Sequence, residues 1–325
     1  MGLRFRGLGH ATGSRVLTNA DLESMMETTA AWIEERTGIT ERHVCADGET
    51  CSTLAADSGR EALASAGVSD VDLSIVATCT PDHLLPATAA YAQRELGLTG
   101  AAMDLNVACS GFVYGLAVAD GLLSTGAMST ILLMGAEAFS PFIDWTDRGT
   151  AILFADGAGA VVLEAVEGRG DLIATDFGND AALAELIQIR VGSRTPPAQD
   201  TLEKGTHFLR MSGREVFRAA VRVIADSSRR CLERAGIGPA DVDLFVPHQA
   251  NERIITVAAE RLGVAPERTF VNVGRHGNTS AATIPLALYE AQAAGRLHRG
   301  DRVLLCGFGA GMSWGSAVVE WSLGT

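Results

Sequence analysis

Short apolar runs rich in β-branched residues alternate along the chain with longer stretches in which apolar positions recur every three to four residues. Residues 73–78, 130–134, 160–163, 242–246, 269–273 and 302–305 read as buried strands. Residues 52–66, 111–123, 216–235, 252–262 and 281–294 read as helices between them. The alternation predicts an α/β protein built on sheets.

A weak internal repeat sharpens that expectation, because self-similarity over a long period changes the fold. VDLSIVAT from Val71 resembles VDLFVPHQ from Val242, 171 residues later. ILLMGAEA and VLLCGFGA share a glycine, Gly135 and Gly307, at an offset of 172. GAVVLE ending at Glu164 echoes SAVVE ending at Glu320 with a drifted spacing. Two similar halves are therefore expected, residues 1–170 and 171–325. The length of 325 residues agrees, since it exceeds what one core usually organises. Residues 179–206, with Pro196 and Pro197, lack periodicity and read as a connecting excursion. Superposing the halves puts Cys109 and Asn278 in related places, each between a strand end and a helix start rich in small residues.

Composition removes several function classes. Hydrophobic residues at 47% with charged residues at 20% supply a large core and exclude a disordered chain. A net charge of −13 disfavours nucleic acid and anionic membrane as partners, so an acidic partner needs a local basic patch. Lys204 is the only lysine and sits in a polar loop, a poor setting for Schiff-base chemistry. Six scattered cysteines without a CxxC pair suit reduced thiols of a cytoplasmic enzyme better than disulfides or a zinc site. No apolar run reaches membrane-spanning length, and Arg4, Arg6 and His10 leave no room for a signal-type apolar segment.

Three junctions carry candidate chemistry. Asn106-Val107-Ala108-Cys109-Ser110-Gly111-Phe112 follows an expected strand at 102–106 and opens an apolar helix. Cys109 is there either a small buried residue or a nucleophile whose thiolate the helix N-terminus favours. His248, in Val246-Pro247-His248-Gln249-Ala250-Asn251, stands between a strand and a helix. Asn278 lies in Gly274-Arg275-His276-Gly277-Asn278-Thr279-Ser280, where glycines let backbone approach a ligand closely. Cys, His and Asn together at strand-to-helix junctions point to a site where the halves meet.

With these segments in view, the chain resembles the β-ketoacyl-acyl-carrier-protein synthase III family, thiolase-fold condensing enzymes. The likeness rests on Trp32-Ile33-Glu34-Glu35-Arg36-Thr37-Gly38-Ile39, the Cys109 turn, Asp147-Arg148-Gly149-Thr150, Asp156-Gly157-Ala158-Gly159-Ala160, the His248 turn, Gly277-Asn278-Thr279-Ser280 and Gly309-Ala310-Gly311. It implies duplicated βαβαβαββ halves in a five-layered αβαβα architecture. It further implies a homodimer that condenses an acyl-CoA starter with malonyl acyl carrier protein through an acyl-Cys109 intermediate, losing carbon dioxide. His248 Nε2–H and the Asn278 amide would hold the malonyl enolate, and the backbone N–H groups of Cys109 and Ala310 the acyl oxyanion. No metal and no cofactor are implied.

The resemblance also assigns the approaches to the site. Trp32 and Arg148, with Arg36 and Thr37 nearby, would clamp the CoA adenine, and Gly213, Phe217, Ala250 and Asn251 would line the pantetheine tunnel. Arg214, Arg218 and Arg222 recur at helical spacing, and Arg253 and Arg261 would extend that stripe into a carrier-protein surface. Leu85, in Pro81-Asp82-His83-Leu84-Leu85-Pro86, matches a residue that closes the acyl pocket of the partner subunit. Cys306 precedes the alignment place of the second thiolase cysteine, Gly307, by one residue, which on a strand turns it to the opposite face. The competing enzyme reading is an acyltransferase on this fold that transfers without condensation.

Overall fold

The computed structural model describes residues 1–324. Strands β1 (Gly2–Thr12), β2 (Leu73–Ala77), β3 (Ala101–Leu105), β4 (Thr130–Glu137) and β5 (Gly157–Val166) form one sheet, in the order β1-β5-β4-β2-β3. Strands β6 (Leu172–Asn179), β7 (Leu244–Pro247), β8 (Arg302–Gly309) and β9 (Ser313–Glu320) form a second, ordered β6-β9-β8-β7. In both, the outer two pairings at one end are antiparallel and the next is parallel. The two sheets thus repeat one topology.

Helices complete five layers, with one core outside each sheet and one shared core between the sheets. Helices α2 (Cys51–Ala66) and α3 (Thr88–Leu96) cover the outside of the first sheet, where Leu54, Ala55 and Ala92 pack on Val76, Leu132 and Val162. Helices α5 (Gly213–Ala235) and α6 (Glu252–Leu262) cover the second, with Ile224 and Ala258 packing around Phe245, Leu304 and Val318. Between the sheets lie α4 (Gly111–Ser124) and α7 (Thr283–Ala293), buried among Ile75, Leu133, Val246, Leu305 and Val319. These two middle helices are apolar on nearly all sides, as a doubly covered layer demands. A short helix α1 (Ala30–Thr37) stands outside the layers and carries Trp32.

The expected strand at 269–273 does not form. Thr269 makes a single parallel bridge to Phe245, and then Gln249 takes over the ladder: its Nε2 donates to the Phe270 carbonyl and its Oε1 accepts from the Asn272 N–H. The pairing of Cys109 with Asn278 also shifts. Two non-glycine residues adopt positive φ, Ala108 at 45° and Ser280 at 49°, each at the head of a 3₁₀ turn leading into a middle helix. Aligning those turns matches Cys109 with Ala281 and Asn278 with Asn106, so the thiol and the amide come from non-equivalent positions. The excursion holds short helical pieces and a two-stranded ribbon, Ile187–Ile189 with Leu209–Met211.

Candidate active site

The parallel strands end, and the middle helices begin, at one place, and the chemistry collects there. Cys109 lies in the turn Ala108–Ser110 directly ahead of α4. Strand β8 runs against it so closely that a Cβ at Gly309 would lie 2.7 Å from the Cys109 amide nitrogen, and one at Gly307 would lie 2.9 Å from its carbonyl oxygen. The glycine run at 307–311 therefore serves close packing on the Cys109 turn. Cys306 faces away, buried 3.2 Å from Ser316 Oγ in the outer core, its thiol pushed up to about 11 by burial.

His248 sits just past β7, fully buried, with its N–H donating to the Cys306 carbonyl at 2.8 Å and its ring edge-on to Phe308. Its Nδ1 lies 2.7 Å from Thr283 Oγ1, while Nε2 is buried without a protein partner. Burial alone pushes the imidazole down to about 3, so it is neutral at pH 7. Asn278 is held by backbone bonds on both sides, donating to the Leu153 carbonyl and accepting from the Ala155 N–H. Its Oδ1 accepts from the Ser280 N–H at 2.9 Å, which turns the amide NH₂ toward the cavity as a donor.

The Cys109 thiol is pushed up rather than down, although it stands ahead of a helix N-terminus. Burial, with a smaller push from Glu137, raises the thiol to about 12 against relief from the Ser280 hydroxyl. Burial favours the thiol over the thiolate at rest. A second thiol, Cys79, lines the same cavity and was not foreseen. It hydrogen-bonds the buried Glu137 carboxyl at 3.2 Å, and burial and that acid hold its thiol well above the usual range.

One cavity of about 1100 Å³ joins these groups to the surface. Cys109, His248, Asn278 and Ala310 line its inner part, and φ at Ala310 is not positive, so its N–H can serve without a glycine. Trp32, Arg36, Thr37, Arg148, Gly213, Phe217, Ala250 and Asn251 also line it, with Arg214, Arg218 and Arg253. The guanidiniums of Arg36 and Arg148 lie 5.1 and 5.2 Å from the Trp32 ring centre. Asn251 is already engaged: its Oδ1 caps α6 at the Arg253 N–H and its Nδ2 donates to the Arg36 carbonyl. Arg222 and Arg261 are exposed and lie outside the cavity wall, as does Leu85, which with Leu84 projects at 86% and 91% exposure. Among the described residues no helix is long and apolar enough to cross a membrane.

Residues 103–181 match the family model for 3-oxoacyl-[acyl-carrier-protein (ACP)] synthase III, and residues 232–321 match the model for its C-terminal part. The β-ketoacyl-[acyl-carrier-protein] synthase III of Roseiflexus sp. (strain RS-1) is 48% identical, over 97% of both chains. The crystal structure of the Pseudomonas aeruginosa 3-oxoacyl-(acyl carrier protein) synthase III superposes with a TM-score of 0.93 at 40% identity, covering 100% of both chains. The priming β-ketosynthase of the R1128 polyketide pathway has a TM-score of 0.91 at 32% identity, covering 99% of this chain and 96% of its own. The chain belongs to the 3-oxoacyl-[acyl-carrier-protein] synthase III family and is an acyltransferase of the thiolase-fold condensing type.

Proposed function

We propose that this enzyme takes an acyl group from acyl-CoA onto Cys109 and condenses it with malonyl acyl carrier protein, starting a fatty-acid or polyketide chain. The observation that carries the reading is one cavity lined by a thiol, an imidazole and a carboxamide together with Trp32, Arg36 and Arg148. Decarboxylation of the malonyl group builds charge on its thioester oxygen, and the Asn278 amide together with a protonated His248 Nε2 stabilises it. Attack on the acyl thioester builds charge on another oxygen, which the N–H groups of Cys109 and Ala310 receive. The halves 1–170 and 171–325 are the units of this division of labour, the first giving the nucleophile and the second the imidazole and the amide.

Binding follows from the wall of the cavity. Trp32 and Arg148 clamp the adenine between ring face and guanidinium, and Gly213, Phe217 and Ala250 flank the pantetheine arm. Asn251 contributes through the oxygen lone pair and the amide hydrogen its internal bonds leave over. The paired exposure of Leu84 and Leu85 supports a homodimer in which Leu85 closes the partner's acyl pocket, since large apolar side chains are rarely left so bare. The protein is assigned to the cytoplasm.

The test is to incubate the enzyme with acyl-CoAs, measure the mass added at Cys109, and then supply malonyl carrier protein. A product longer by two carbons, with carbon dioxide, is expected. An adduct that never elongates would instead point to simple acyl transfer.

Arg214, Arg218 and Arg222 present an exposed stripe on α5, continued by Arg253 and Arg261 on α6, and this is the surface assigned to the acidic carrier protein. Arg214, Arg218 and Arg253 line the cavity mouth, so their loss disturbs CoA as well. Arg222 lies outside the cavity wall and separates the two. Arg222→Glu is expected to raise the KM for malonyl carrier protein about fivefold at low salt, less at high salt, with acyl-CoA transfer unchanged. An unaltered KM at low salt removes Arg222 from the docking surface.

A further inference from the structure

The Thr283 hydroxyl has one hydrogen and touches two groups, the Ser280 carbonyl at 2.9 Å and His248 Nδ1 at 2.7 Å. A carbonyl oxygen only accepts. If the hydrogen points to that carbonyl, Thr283 Oγ1 remains an acceptor and Nδ1 donates to it, so both contacts are satisfied. If it points to Nδ1, two oxygens face each other at 2.9 Å in a buried turn with no hydrogen between them. Buried polar groups adopt the arrangement that satisfies more of them. A neutral imidazole protonated on Nδ1 bears a lone pair on Nε2. That is the buried, partnerless nitrogen of the ring that shares the cavity wall with Cys109.

We propose that Thr283, anchored by the Ser280 carbonyl, is a positioning residue that fixes the Nδ1–H tautomer of His248, so that a bare Nε2 receives the proton of Cys109. This deepens the condensing-enzyme reading and rests on Cys109 being its nucleophile. Ser280 is central to it. Its left-handed backbone aims the N–H at Asn278 Oδ1 and the carbonyl at Thr283, so one turn orients both the amide and the imidazole.

The proton balance closes over the cycle. The Cys109 S–H bond breaks as Nε2–H forms, the thiolate attacks the acyl carbonyl, the bond to the CoA sulfur breaks, and that sulfur takes the proton from Nε2. The imidazole returns to neutral, as its burial requires. One proton from solvent then enters with the malonyl anion, whose charge offsets the burial that keeps the free imidazole neutral, and sits on Nε2 opposite the enolate. Condensation expels the Cys109 thiolate, which takes that proton back. Each turnover consumes one proton and releases one carbon dioxide.

The test uses the full-length enzyme with Thr283→Val and Thr283→Ser. Nitrogen NMR of the histidine-labelled wild type is expected to show His248 protonated on Nδ1 and bare on Nε2, with Thr283→Ser alike. Acyl transfer from acyl-CoA to Cys109 is expected to slow about 100-fold in Thr283→Val and to recover to within about threefold of wild type in Thr283→Ser, with the acyl-CoA KM unchanged. A wild-type His248 protonated on Nε2 overturns the assignment even where the valine variant does not fold, and so does undiminished acyl transfer in Thr283→Val. Absence of any Cys109 adduct in the wild type strikes instead at the nucleophile reading beneath it.

Discussion

Cys109→Ala is expected to abolish the acyl adduct and to lower condensation by about 10⁴-fold or more, the scale seen when a covalent nucleophile is removed. The variant should fold normally. Cys109 is only half-buried and faces the cavity, so removing its sulfur opens no sealed void. The measurement has a built-in rival, because Cys79 lines the same cavity. Both thiols are held neutral by burial, but Cys79 is the worse nucleophile: its sulfur lies 3.2 Å from the Glu137 carboxyl, which opposes a second negative charge. Cys109 instead stands directly ahead of α4, and there the relief from the Ser280 hydroxyl exceeds the push from Glu137, the reverse of their order at Cys79. Mass mapping after incubation with acyl-CoA decides between them. An adduct that persists on Cys79 in Cys109→Ala would move the nucleophile and redraw the site.

The residues that announce themselves in the sequence are those whose chemistry depends on a junction. Cys109 and His248 each follow a strand and precede a helix, a context readable from local pattern alone, whereas Asn278 follows a helical turn at Val273–His276 and is itself the residue that bridges to Phe154. The helix at 252–262 is equally legible, because its apolar positions fall on one face without interruption. Strand β1 is not. Its inward positions include Gly7 and Gly9, where a Cβ would come within 2.3 and 2.1 Å of the Ala62 and Ser58 carbonyls of α2. Close helix packing has replaced the apolar side chains that would have displayed the alternation. Thr283 is hidden for a different reason. It touches no substrate, and its importance comes from a left-handed turn at Ser280 that no propensity of serine foretells. Orientation is encoded by three-dimensional contacts, whereas the reacting groups are encoded by residue type.

Asn278→Asp is expected to cost condensation about 10³-fold while leaving acylation of Cys109 within a few-fold of wild type. The choice of aspartate follows from the bonds of the amide. Asn278 Oδ1 anchors the Ser280 N–H, and an alanine would loosen the turn that also holds Thr283 and, through it, His248. Aspartate keeps that acceptor and the side chain's shape, and removes only the N–H donors, replacing them with an oxygen that repels an enolate. Acyl transfer from CoA develops its charge on the other oxyanion, against backbone N–H groups, and has no use for the amide. The two half-reactions should therefore separate: a normal mass adduct on Cys109, followed by a stalled release of carbon dioxide when malonyl carrier protein is added. An aspartate variant that elongates at the wild-type rate would remove Asn278 from the decarboxylation step. One that fails to acylate would show the amide acting on the first transfer, and the assignment of one oxyanion to each half-reaction would have to be abandoned.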